Sequence, residues 1–113
     1  MAVMNTELIA VLASSTLVPY RLVTAAGAYC GMDAIQNHIG VSVENAISGD
    51  SVTLRLPNAG TVKTTASEAI AAGDQLYKAA SGKVSKTATG SVLIGIAVTA
   101  ASGDGSIFEA LLR

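Results

Sequence analysis

IAAGDQLYKAASGKVSKTATGSVLIGIAV, residues 70–98, reads as three short strands cut by glycine turns. Ala72-Gly73-Asp74 turns into Gln75–Lys78, Ser81-Gly82 into Lys83–Lys86, and Thr89-Gly90 into the apolar run Val92–Val98. Runs this short, rich in Val, Ile, Thr and Tyr and bounded by Gly, Ser and Asp, mark tightly connected antiparallel strands. None of these side chains is placed for chemistry, and the stretch reads as scaffold.

Outward from it, the pattern repeats. Ile39-Gly40-Val41-Ser42-Val43 recurs as Ile94-Gly95-Ile96-Ala97-Val98, and the turn Ser48-Gly49-Asp50 recurs as Ser102-Gly103-Asp104. Ala25-Ala26-Gly27 is echoed by Ala71-Ala72-Gly73-Asp74, and the strand Val52–Leu56 by Ile107–Leu112. Within Val52–Leu56 the residues Val52, Leu54 and Leu56 share one face, as a half-buried strand requires. Two pseudo-repeated halves follow, about residues 22–56 and 68–112, too few copies for a solenoid. Gly49, Asp50, Gly73, Asp74, Gly95, Gly103 and Asp104 are assigned as structural turn residues. A phosphate loop needs a following helix N-terminus, and a calcium loop several close carboxylates; neither accompanies these turns.

Composition narrows the function. The chain has 113 residues, half of them hydrophobic, but only 4% aromatic and no Trp. Small apolar side chains bury little area each, at roughly 25 cal/mol per Å², so a lone copy has a modest core and an assembly is expected. Seven basic against eight acidic residues leave no basic face for displacing counterions from phosphates, which argues against direct nucleic-acid binding. The single cysteine, Cys30, cannot form an intrachain disulfide and reads as a small buried or half-buried apolar residue. His38, the only histidine, has no neighbour repeating a catalytic spacing and reads as a turn or surface residue. No catalytic, cofactor-binding or metal-ligating residue is assigned.

The N-terminal residues 1–19 lack the basic n-region of a secretory signal, and their apolar run is far short of the ~20 residues needed to span a bilayer. Asn5-Thr6 either caps a short helix through about Ala13, or the segment is an extended arm; Pro19 ends it. Lying outside both repeats, the arm is expected to dock on another chain through Leu8, Ile9, Val11, Leu12, Leu17 and Val18. Residues 31–38 read either as one helical turn begun by Asp33 or as a hairpin loop. Residues 20–113 form the β-rich domain.

The order of Ile70–Tyr77, Gly82-Lys83-Val84, Ile94–Val98 and Ala101–Asp104 resembles that of small capsid cement, or head-decoration, proteins of tailed phages, and Ile39–Val41, Gly49-Asp50 and Val52–Leu56 resemble the matching first half. The resemblance covers about Val18 to Leu112. It implies a mainly all-β fold, a small β-barrel or tulip-like β-sandwich. It further implies a non-enzymatic virion protein without cofactors, made in the host cytoplasm and placed on the outer capsid surface. Its implied partners are the major capsid protein and itself, as a homotrimer, with no membrane contact. Other structural or adhesive shell proteins, or a small ligand-binding β-domain, are the alternatives.

Overall fold

The computed structural model describes residues 8–31, 38–56, 61–87 and 93–112. Among these described residues the Gly-bounded runs become nine short strands: β1 (Leu8–Leu12), β2 (Leu22–Thr24), β3 (His38–Ser42), β4 (Ser51–Arg55), β5 (Thr61–Thr65), β6 (Gln75–Lys78), β7 (Val84–Ser85), β8 (Leu93–Ala97) and β9 (Ile107–Leu112). They form two antiparallel sheets, ordered β1-β4-β3-β2 and β5-β9-β8-β6-β7, which pack as a sandwich. The described residues contain no α-helix.

The two sheets are one design written twice. Removing β7 from the second leaves the same order, with β1, β2, β3 and β4 matched to β5, β6, β8 and β9. Register agrees as well. One cross-strand row runs Leu8–Arg55–Val41–Leu22 in the first sheet and Thr61–Leu111–Ile96–Gln75 in the second. Each sheet is bulged at the same place, between Val23 and Thr24 and between Leu76 and Tyr77. Beyond the strands, Leu17 and Ala46 exchange backbone hydrogen bonds of 2.8 and 3.0 Å, and Ile70 and Ala101 repeat the pair at 3.0 and 2.8 Å.

Burial follows the repeat, because side chains on alternate strand positions face opposite ways. Ala13, Leu17, Val23, Ala46, Val52 and Leu54 make the inner core of the first half, with Ile9, Val11, Tyr29 and Ile39 packed against it. Their counterparts Ala66, Ile70, Leu76, Ala101, Phe108 and Ala110 lie in the second core. That cluster also takes in Leu22, Cys30 and Val41 from the first half, which joins the two halves.

This architecture corrects the expected boundaries. Residues 8–12 are not an arm outside the repeats: β1 pairs with β4 over its whole length, and Leu17 is 1% exposed in the first core. The repeats therefore begin with β1 and β5, not near residues 22 and 68. A helix through Ala13 is likewise replaced by a strand over Leu8–Leu12. Asn5-Thr6 and Asp33–Asn37 lie outside the described residues.

One turn assignment and two turn matches also change, while Gly73 and Gly103 remain in turns. Gly95 is not a turn residue but sits in the middle of β8, where a Cβ would stand 2.2 Å from the Leu111 carbonyl oxygen; only glycine lets the two strands approach this closely. Gly103 is not in the left-handed region; the counterpart of Gly49 is Gly105, since the Gly49 and Gly105 amides donate to Ala13 and Ala66 respectively, both at 2.8 Å. Gly73 matches Tyr20 rather than Gly27. The Tyr20 amide donates to Ser42 O at 2.7 Å as the Gly73 amide donates to Ala97 O at 2.8 Å. Tyr20 consequently holds φ +66° where its repeat uses glycine, a strain of about 1–2 kcal/mol for a side chain bearing a Cβ.

Candidate interaction surface

The described titratable side chains are scattered apart from the Lys83–Asp104 pair, and several of the carboxylates brace the backbone. Asp50 Oδ2 accepts the Ile47 amide at 3.4 Å, and Asp74 Oδ2 accepts the Ala71 amide at 2.9 Å, so each carboxylate braces its own turn. Glu44 accepts the Thr53 amide at 2.9 Å, which holds its carboxyl below the usual carboxylate range. At the matched place Thr99 Oγ1 accepts the Glu109 amide at 2.9 Å. Glu68 accepts hydroxyl hydrogen bonds from Ser85 and Thr87, and these lower its pKa. Asp104 accepts a 2.8 Å hydrogen bond from Lys83 Nζ, whose charge also lowers the Asp104 pKa.

Among the described residues no three His, Cys, Asp or Glu side chains are grouped so as to hold a metal ion. Cys30 is buried, and burial pushes its thiol upward against the opposing charge of Lys78. His38 is half-buried in β3 rather than in a surface turn. No described helix is long and apolar enough to cross a membrane.

What the surface offers instead is bare aliphatic area on the outer faces of both sheets. In the first sheet Leu8 and Leu12 are 50% and 67% exposed on edge strand β1. In the second, Ile96 and Leu111 are register partners, 44% and 50% exposed, with Ile107 exposed on β9 and Val98 exposed just past the end of β8. Exposed aliphatics gathered on one sheet face mark a surface that meets another protein.

The structure divides the six expected contact residues by strand parity. Leu8 and Leu12 point outward, while Ile9 and Val11 pack against the first core. Leu17 is buried, and Val18 is half-buried with its amide donating to the Tyr29 hydroxyl at 2.9 Å. Ile96, Val98, Ile107 and Leu111 were missed as contact residues. Their signal was in the sequence: Ile107, Glu109 and Leu111 alternate with Phe108, Ala110 and Leu112, so β9 is apolar on both faces except for Glu109. A strand apolar on both sides is covered on both sides.

Comparison with known proteins places this architecture. No curated protein is matched. The solved N-terminal base of the head fibre protein gp8.5 of bacteriophage phi29 is similar with a TM-score of 0.75 and 21% identity, over 94% of this chain and 92% of that one. At that identity the likeness speaks for the fold. The phage cement protein family model matches residues 9–113, beginning inside β1 and spanning both halves. The chain therefore belongs to the phage cement proteins, structural components of the virion that bind the capsid.

Proposed function

We propose that the protein binds the outer face of the phage head, ties neighbouring major capsid subunits together against the pressure of packaged DNA, and does so as a homotrimer. The observation that carries this reading is the pair of bare aliphatic faces on the double sheet. A homotrimer in which each subunit meets two sister copies needs two adhesive surfaces on every subunit, and here they lie on different sheets. Within residues 8–18, Leu8 and Leu12 are the partner-facing side chains, held in place by Ile9, Val11, Leu17 and Val18 behind them. The reading assigns no catalytic step and no nucleic-acid contact, since the near-neutral chain provides no basic face.

The test is to add purified protein to undecorated heads of the same phage and sediment them. The expected result is saturable binding, together with heads that release their DNA at a higher temperature than undecorated ones. Heads that bind no protein, or bind it without any gain in resistance, contradict the proposal.

A further inference from the structure

We propose that copies of this chain associate head to tail, with strand β1 of one copy seated on the outer β8–β9 face of the next. The inference rests on the self-association in the function proposed above, and names the two surfaces that meet.

The chain itself supplies the precedent. In the row Leu8–Arg55–Val41–Leu22, the β2–β3 end is sealed by the second half, with Val41 1% exposed and Leu22 fully buried. The seal comes from two places. Edge strand β5 lies along it, and the Thr65 hydroxyl donates to Tyr20 O at 2.8 Å. The tip of the β6–β7 hairpin reaches over it, where the Gly82 amide donates to Cys30 O at 3.0 Å and a Gly82 Cβ would touch the Leu22 carbonyl oxygen. In the matched row Thr61–Leu111–Ile96–Gln75 every residue is exposed. The sheet face that the second half covers on the first half has nothing over it on the second among the described residues.

Two halves related by a two-fold axis would each cover the other. Here only one face is covered, so the halves follow one another head to tail, an arrangement that leaves one open surface at each end. One open end is the β8–β9 face. The other is the first-half counterpart of the covering strand β5, namely β1. Their chemistry matches. β5 carries Thr61, Lys63 and Thr65 outward and meets a row containing Arg55, whereas β1 carries Leu8, Ala10 and Leu12 outward, and the face left open offers Ile96, Val98, Ile107 and Leu111. β1 also lacks the lysine, proline or bulge with which a free edge strand is ordinarily protected. The occupant of the open face is accordingly a second copy of this chain, presenting β1.

Mixing two variants, each blocked at one end, tests this. Leu8→Lys/Leu12→Lys removes the β1 end, and Ile96→Lys/Leu111→Lys the face. All four positions are exposed, so circular dichroism and melting should match the unsubstituted chain; Leu12→Lys alone replaces the first variant if the double substitution melts early. Sedimentation at micromolar concentration should show an oligomer for the natural sequence, a monomer for each variant alone, and a one-to-one dimer when the two are mixed, because each retains the end the other lacks. A monomeric natural chain, variants that still assemble alone, or a mixture that stays monomeric each overturns the proposal. Head binding is a separate readout: self-association failing while heads are still bound overturns this inference alone.

Discussion

In the first sheet Leu22 and Val41 lie on the outer face and are sealed; in the second, their counterparts Gln75 and Ile96 lie open to solvent. Strand order, register, bulge and inner core are shared, so the difference does not come from the fold of either half. It comes from a longer β6–β7 hairpin and from what strand β5 has to rest on. A duplicated half supplies its own partner once and then runs out of copies. The surface left over is the one on which the proposed second copy sits.

The largest effect that sharpens this comparison is deletion of residues 1–18. It removes β1 and Leu17 from the first half while leaving the second intact, at a cost on the order of 5 kcal/mol from Leu17, Ile9 and Val11 alone. Chemical denaturation should show the first half unfolded or strongly destabilised. A truncated chain with unchanged stability would restore the separable arm.

Next is the matched pair Gly95→Ala and Gly40→Ala. The added methyl would stand 2.2 Å from a backbone oxygen at Gly95 and 2.9 Å from one at Gly40, so strands β8 and β9 must separate further than β3 and β4. We expect losses of about 3 kcal/mol and about 1–2 kcal/mol respectively, read from urea midpoints. Equal losses would show that the closer approach in the second sheet is of no consequence.

A smaller effect comes from Thr64 and its counterpart Val11. Thr64 is fully buried with its hydroxyl unpartnered, whereas the first half has an apolar side chain at the matched place. Thr64→Val removes an unmet desolvation cost and should stabilise by about 1 kcal/mol. Val11→Thr should not. Stabilisation by both, or by neither, would break the asymmetry.

The smallest effect is acid sensitivity at one matched backbone amide, present in the first half and absent at its counterpart in the second. The matched backbone amides of Thr53 and Glu109 are accepted by a carboxylate, Glu44, in the first half and by a hydroxyl, Thr99, in the second. The folded-state pKa of Glu44 lies below its unfolded value. Its contribution is therefore complete above the usual carboxylate range and is lost as pH falls through the lowered value. In an amide NMR titration the Thr53 resonance should move in that acidic window. A Thr53 resonance that stays still would contradict the hydrogen bond's role.

The sequence made the strands from Gln75 onward legible because glycine turns bound them and their apolar residues alternate, and it exposed the repeat through Ile39-Gly40-Val41 and Ile94-Gly95-Ile96. It hid β1 because Leu8–Leu12 is apolar at every position and shows no alternation, so an edge strand with one bare face looked like a free tail. It displaced the turn matches because Ser-Gly-Asp recurs as letters while the left-handed residue moves from Gly49 to Gly105. The match of Tyr20 to Gly73 could not be read from residue identity, since backbone strain at Tyr20 is imposed by its surroundings. The β8–β9 contact face was legible in outline from an all-apolar β9 interrupted by Glu109, but its vacancy depends on how the halves stack.

The most direct measurement is a reconstruction of heads decorated with the purified protein, at a resolution that traces the strands. The account predicts added density on the outer capsid surface in which the Ile96–Leu111 face of each copy is covered by strand β1 of a neighbouring copy. Copies standing apart, or an Ile96–Leu111 face left in solvent or pressed on the shell, would contradict it.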